Sequence, residues 1–166
     1  MDQTIDLFKE TPETFHPFYL NKDRYLIFKG SAGSGKSVFV TKKVVLRAIS
    51  EAGHKFLMTR KVHKTLKESI FEEVRKRVIE WGLKNRYHYY ENKSDLKIEL
   101  KESQFLFMGM DDPEKLKSIE GITSAVCEEL TEFDEKDFDQ INLRIRGKTP
   151  YYKQTIGMFN PISDGS

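Results

Sequence analysis

Apolar positions along the chain follow two rhythms. Short dense runs read as strands: Tyr25 to Lys29 as a buried strand, then "KFLMT" (55–59), "QFLFM" (104–108), "TSAVC" (123–127) and "QTIGMF" (154–159). Between them the spacing changes to that of helices. Ser37 to Ala52 reads as one, with Gly53 as its stop. Lys64 to Trp81 reads as a long amphipathic helix, with Leu66, Ile70, Val74 and Val78 on one stripe, Phe71 and Ile79 beside it, and Gly82 ending it. "YHYY" (87–90) and "LKIEL" (96–100) flank the polar turn "ENKSD" as a hairpin, and Asp134 to Arg144 is a further helical segment. Strands alternating with helices predict an α/β fold with a mainly parallel sheet flanked by helices. Residues 1–24, with Pro12 and Pro17, read as an irregular segment with room for one short helix; residues 25–166 read as a single core with no linker.

Composition narrows the class. Hydrophobic residues are 38% and charged residues 33% of the 166, a soluble globular balance. No apolar run approaches the roughly 18 residues of a membrane span. "MDQTIDLFKE" lacks the apolar stretch of a signal peptide. Cys127 is the single cysteine, which excludes an internal disulfide and fits a reducing cytoplasm. The 4 histidines show no metal-ligand spacing. Net charge is only +2, yet residues 29–86 hold 15 Lys/Arg against 5 Asp/Glu, while residues 101–166 hold 8 against 13. The basic segment is either a polyanion surface or a set of solvated helix faces.

The first strand runs directly into Gly30-Ser31-Ala32-Gly33-Ser34-Gly35-Lys36-Ser37, a full match to G-x-x-x-x-G-K-[ST]. Glycines let the backbone wrap a phosphate, successive amides point inward as an anion nest, and the helix that follows adds its positive end. Lys36 is expected to reach the β- and γ-phosphates and the Ser37 hydroxyl to ligate Mg²⁺. The competing reading is a Gly/Ser turn that happens to carry a lysine; the strand before and the helix after weigh against it.

A phosphate loop alone says only that a nucleoside triphosphate binds. The class is decided by an acid at the end of a buried strand, and "AVCEEL" supplies two. Glu128 is expected at the metal and Glu129 as the base that orients and deprotonates water, with strand alternation turning the two to opposite sides. Glu132, Asp134, Glu135, Asp137 and Asp139 read as a solvated acidic face, and Cys127 as a small buried residue.

Several segments in order resemble the ATPase domain of the large terminase subunit of tailed bacteriophages, in its PBSX-like branch. They are "FKGSAGSGKS", "MTRKVHKTLKESIFEEV", "FLFMGMDDPEKLKSIEG", "CEELTEF" and "MFNP", and they cover about residues 24 to 162. The resemblance implies a P-loop NTPase of the RecA-like, additional-strand catalytic glutamate type. It implies ATP and Mg²⁺ as cofactors. Lys36 and Ser37 would hold phosphate and magnesium, Glu128 would be the metal-side acid and Glu129 the catalytic base. Asn160 would sense the γ-phosphate, on a strand inserted between the phosphate-loop strand and the acidic strand. The implied function is an ATP-driven motor that moves double-stranded DNA into a viral capsid, as a homo-oligomeric ring on the portal protein, with the small terminase subunit, in the host cell cytoplasm and without a membrane.

Two departures qualify the resemblance. Ala32 stands where many relatives carry an arginine, so the arginine finger is unassigned; Arg60, Arg144 and Arg146 are candidates, with Lys115 or Lys117 as contributors from a neighbouring subunit. The family continues into a nuclease domain, and no nuclease site is visible in residues 1–166. Lys42, Lys43, Arg47, Lys64, Lys67 and Arg75 to Arg77 are candidate contacts to DNA phosphates. Other readings are a helicase-like ATPase, a small-molecule kinase and a nucleotide-binding fragment without turnover.

Overall fold

The computed structural model describes residues 4–161. Residues 1–3 of the expected N-terminal segment and residues 162–166 of the expected core lie outside that range. Seven strands form one sheet: β1 (Tyr25–Lys29), β2 (Lys55–Arg60), β3 (Tyr89–Asn92), β4 (Lys97–Leu100), β5 (Ser103–Gly109), β6 (Ser124–Cys127) and β7 (Thr155–Phe159). Their spatial order is β1-β7-β6-β2-β5-β4-β3. The five strands from β1 to β5 in that order pair in parallel, and the β3–β4 hairpin adds an antiparallel margin. The helices are α1 (Lys36–Ser50), α2 (Ile70–Glu80), a short α3 (Pro113–Lys117) and α4 (Glu135–Arg144). This is a mixed α/β architecture with a mainly parallel sheet.

Burial follows position in the sheet. Central β6 is buried at every residue, as expected for a parallel strand covered on both faces. Helices α1 and α2 cover one face, with Phe39, Val40, Val44, Phe71, Val74 and Val78 packed on Phe28, Phe56, Met58, Phe105 and Phe107. The other face packs Leu57, Ala125 and Cys127 against Leu116 of α3 and Ile141 of α4. The expectation that Tyr25–Lys29 is fully buried does not hold. β1 is an edge strand whose outward residues Tyr25 and Ile27 are 53% and 47% exposed.

The long helix expected from Lys64 to Trp81 is also corrected. A 3₁₀ turn covers His63–Thr65, and α2 starts only at Ile70. Leu66 and Ile70 are both buried, so the apolar stripe is real, but the backbone breaks at Ser69, with φ −115° and ψ −105°. Close packing accompanies this loop. A Cβ on Gly109, at the end of β5, would lie 2.4 Å from the His63 amide nitrogen, so only glycine admits that approach.

The N-terminal segment belongs to the main core. Its 3₁₀ helix, Glu13–Tyr19, buries Phe15 and Tyr19, and the Phe15 ring stacks on Phe39 of α1 with centroids 4.8 Å apart. This wrapping removes four of the candidate DNA contacts. Lys42, Lys43, Arg47 and Arg77 are 5%, 0%, 4% and 7% exposed. Lys42 donates to the Glu10 carbonyl, and Lys43 donates to the carbonyls of Phe18 and Asn21 at 2.7 Å each. Arg47 binds Glu51, Ser124 and the Tyr152 carbonyl and stacks 3.6 Å from the Tyr152 ring. Arg77 pairs with Glu80 at 2.9 Å. These cations face inward because the segments that cover them are distant in sequence.

Burial pulls the Lys43 amine down to about 8, with the Arg47 charge acting in the same direction. The unfolded amine titrates near 10.5. Between those values the unfolded chain binds more protons, so this group's contribution to stability rises with pH. Urea denaturation at pH 7.5 and 9.5 should show wild type gaining about 2 kcal/mol relative to Lys43→Met over that interval. A constant difference between the two proteins would rule out a depressed amine. Among the described residues, no helix is long and apolar enough to cross a membrane.

Candidate active site

The C-terminal ends of β1, β7 and β6 carry the segments singled out above. After Lys29 the Gly30 amide donates to the Phe159 carbonyl of β7 at 3.2 Å, tying the start of the loop to the sheet. Gly33 and Gly35 have φ of +81° and +87°, left-handed values that glycine adopts without steric penalty. Gly35 is the N-cap of α1, so the positive end of a 15-residue helix faces the loop. An open cavity of about 310 Å³ lies there, lined by residues 32–38, Glu128, Glu129, Met158, Phe159 and Asn160. That volume is at the small end of ligand sites.

Gly30 and Ser31 lie behind this lining, and their carbonyls accept from Lys36 Nζ at 2.9 and 3.4 Å. The same amine donates to Asn160 Oδ1. Asn160 follows β7, which is inserted between β1 and β6, so it sits between the phosphate loop and the acidic pair. The amine is thus held at the cavity wall by neutral acceptors, each of which a phosphate oxygen can replace as a stronger, charged acceptor.

The acidic pair is arranged differently from the expected alternation. β6 ends at Cys127, and Glu129 adopts φ +55° and ψ +58°, a left-handed conformation unusual for a residue with a Cβ. The chain turns instead of alternating, and both carboxylates line the same cavity. Strain of this kind is about 1–3 kcal/mol and is retained where the surroundings over-determine it. The Glu128 amide donates to the Thr59 carbonyl of β2 at 2.9 Å, which anchors the turn.

Glu128 is the more enclosed of the pair. Burial pushes its carboxyl above the usual range; the Ser69 hydroxyl and the Arg60 charge oppose this, while Glu129 and Glu73 add to it. Its Oε2 is buried with no hydrogen-bond partner. An orphaned carboxylate oxygen in a cavity that also holds the Ser37 side chain suits a hard divalent cation such as Mg²⁺. Among the described residues no group of three or more His, Cys, Asp or Glu could hold a metal ion. Mg²⁺ bound alongside a nucleotide needs only one or two protein oxygens. Burial drives the neighbouring Cys127 thiol up to about 12, so it is a packing residue and not a nucleophile.

Ser69, Glu73 and Arg60 beside Glu128, and Met158 and Phe159 in the cavity wall, were not identified by sequence as site residues. Ser69 did appear in the segment that carried the resemblance, but no local pattern linked it to the acid. The finger candidates separate by position. Arg60 ends β2 beside Glu128 and bonds Glu132 at 3.5 Å. Arg144 and Arg146 flank Gly147, whose amide donates to Ile122 ahead of β6, so they sit at the opposite sheet edge from the cavity. Lys115 and Lys117 are exposed on α3, with Lys117 facing Glu114 at 3.6 Å.

Comparison with known proteins agrees with this geometry. The ADP complex of the large terminase from the thermophilic bacteriophage D6E superposes with a TM-score of 0.65 at 16% identity, covering 86% of this chain and 34% of that one. The large terminase ATPase domain of Thermus phage P74-26 gives 0.61 at 15% identity, covering 84% and 61%. At these identities the likeness concerns the fold, which is that of terminase ATPase domains. The PBSX phage terminase large subunit of Bacillus subtilis (strain 168) is 30% identical over 139 residues, 83% of this chain and 32% of that protein. The chain therefore spans about a third of that relative's length. A family model described as phage terminase large subunit matches residues 22–166, nearly the whole sequence, and the chain belongs to that family.

Proposed function

We propose that this chain is the ATP-hydrolysing motor region of a phage terminase, driving double-stranded DNA into a capsid. The observation that carries the reading is the convergence of the phosphate loop, Lys36, Asn160 and both acids on one cavity. Gly30 to Ser37 cradle the triphosphate, and Lys36 exchanges its carbonyl and amide acceptors for phosphate oxygens. Ser37 and Glu128 hold Mg²⁺, which when bound neutralises charge on the phosphates. Glu129 accepts the proton of a water whose oxygen bonds to the γ-phosphorus as the bond to the ADP oxygen breaks. Asn160, released as Lys36 turns to phosphate, passes the state of the site to whatever follows β7. Lys64, Lys67 and Lys76, which remain on the surface, are the surviving candidates from the basic segment for contacts to the DNA backbone. The family resemblance supports a homo-oligomeric ring with the small terminase subunit and the portal protein in the host cytoplasm, with no nuclease activity from residues 1–166.

Steady-state phosphate release from this chain is the direct test. Turnover should require Mg²⁺, rise on addition of double-stranded DNA, and lose that stimulation as salt increases. Transfer of phosphate to a nucleoside would replace the motor with a kinase. Tight ATP binding without phosphate release in either condition would mark an inert nucleotide-binding fragment.

A further inference from the structure

We infer that Ser69 is a positioning residue for Glu128, its hydroxyl serving as the donor that holds the acid's buried oxygen while the other oxygen faces the cation. The inference rests on the reading of Glu128 as the metal-side acid. It begins with a break that the hydrophobic pattern does not call for. Leu66, Ile70, Val74 and Val78 would suit one uninterrupted helix, yet α2 starts only after Ser69. At φ −115° and ψ −105° this residue lies outside the helical and strand regions, a conformation that costs energy and needs a structural reason.

The break places the Ser69 side chain beside the Glu128 carboxyl, across from the end of β6. Four groups face that carboxyl: Ser69 and Glu73 from α2 and its N-cap, Arg60 from β2, and Glu129 from the turn after β6. Two of them are carboxylates and donate nothing when ionised. Arg60 is engaged with Glu132. Ser69 is the neutral donor of the set. Its proton now points at the Thr65 carbonyl, 2.8 Å away, which leaves Glu128 Oε2 without a donor. A hydroxyl proton re-aims by rotation about the Cβ–Oγ bond, with no heavy atom displaced. Ligating carboxylates are held in this way by an outer donor, and removing such a donor commonly weakens metal affinity about 10–100-fold. Glu73, one helical turn along α2, has its own buried and unpartnered Oε2, so this side of Glu128 offers no other relief.

Calorimetric titration of Mg²⁺ into the protein–ADP complex tests the inference with Ser69→Ala and Ser69→Thr. Ser69→Ala should weaken Mg²⁺ affinity about tenfold, leave ADP affinity in EDTA and the melting temperature unchanged, and regain most of the loss in Ser69→Thr. Equal Mg²⁺ affinity in wild type and Ser69→Ala, or a Ser69→Thr as weak as Ser69→Ala, overturns it. A Glu128→Gln control separates the two layers. If that variant keeps full Mg²⁺ affinity, the metal-side reading has failed, and the Ser69 inference falls with it.

Discussion

Glu129→Gln should reduce ATP turnover by about 10²–10⁴-fold, the range over which a positioned general base acts. The substitution preserves shape and leaves the left-handed turn in place, so geometry is not the variable. What disappears is a group able to take a proton from water. ADP affinity should be unchanged, because the phosphate contacts come from the loop and Lys36 on the other wall of the cavity. Glu128→Gln should behave differently, raising the Mg²⁺ concentration needed for turnover. A Glu129→Gln protein retaining more than about a tenth of wild-type turnover would show that the base lies elsewhere.

Phe107→Ala should destabilise the domain by about 3–5 kcal/mol. Phe107 is completely buried on β5, and its ring meets that of Phe71 edge-on at 5.0 Å and 73°. Neither neighbouring strand can move in to fill the void, because β5 is hydrogen-bonded to β2 on one side and β4 on the other. For a domain with 5–15 kcal/mol of total stability this is a large fraction. For a chain of this size, each kcal/mol moves the melting temperature by about 2–4 °C. Phe71 lies two residues beyond Ser69, so the void also loosens the helix start that adjoins Glu128. Mg²⁺ with ADP should recover part of the loss by binding only the folded state. A urea transition shifted by less than about 1 kcal/mol would mean that the site collapses to fill the space.

The phosphate loop was fully legible because its function is local. Eight consecutive residues set the backbone curvature, the anion nest and the amine, and the adjoining strand and helix are themselves short-range consequences of apolar spacing. The acids Glu128 and Glu129 were readable for the same reason, as neighbours at the end of an apolar run. Their orientation was not, because the left-handed turn at Glu129 depends on packing between β6, β2 and the segment beyond.

The sequence alone determined which residues carry chemistry and the order in which strands and helices occur. Tertiary structure alone decided what those elements face. Lys42, Lys43 and Arg47 have the composition of a basic surface, yet they are buried because the N-terminal segment and the stretch around Tyr152 close over α1. Ser69 breaks a stripe that is continuous in sequence, and it borders an acid 59 positions away. Hydrophobic periodicity records whether a side chain wants burial. It carries no information about which distant segment provides it, since that choice is made by long-range contacts whose free energy depends on the whole assembled core.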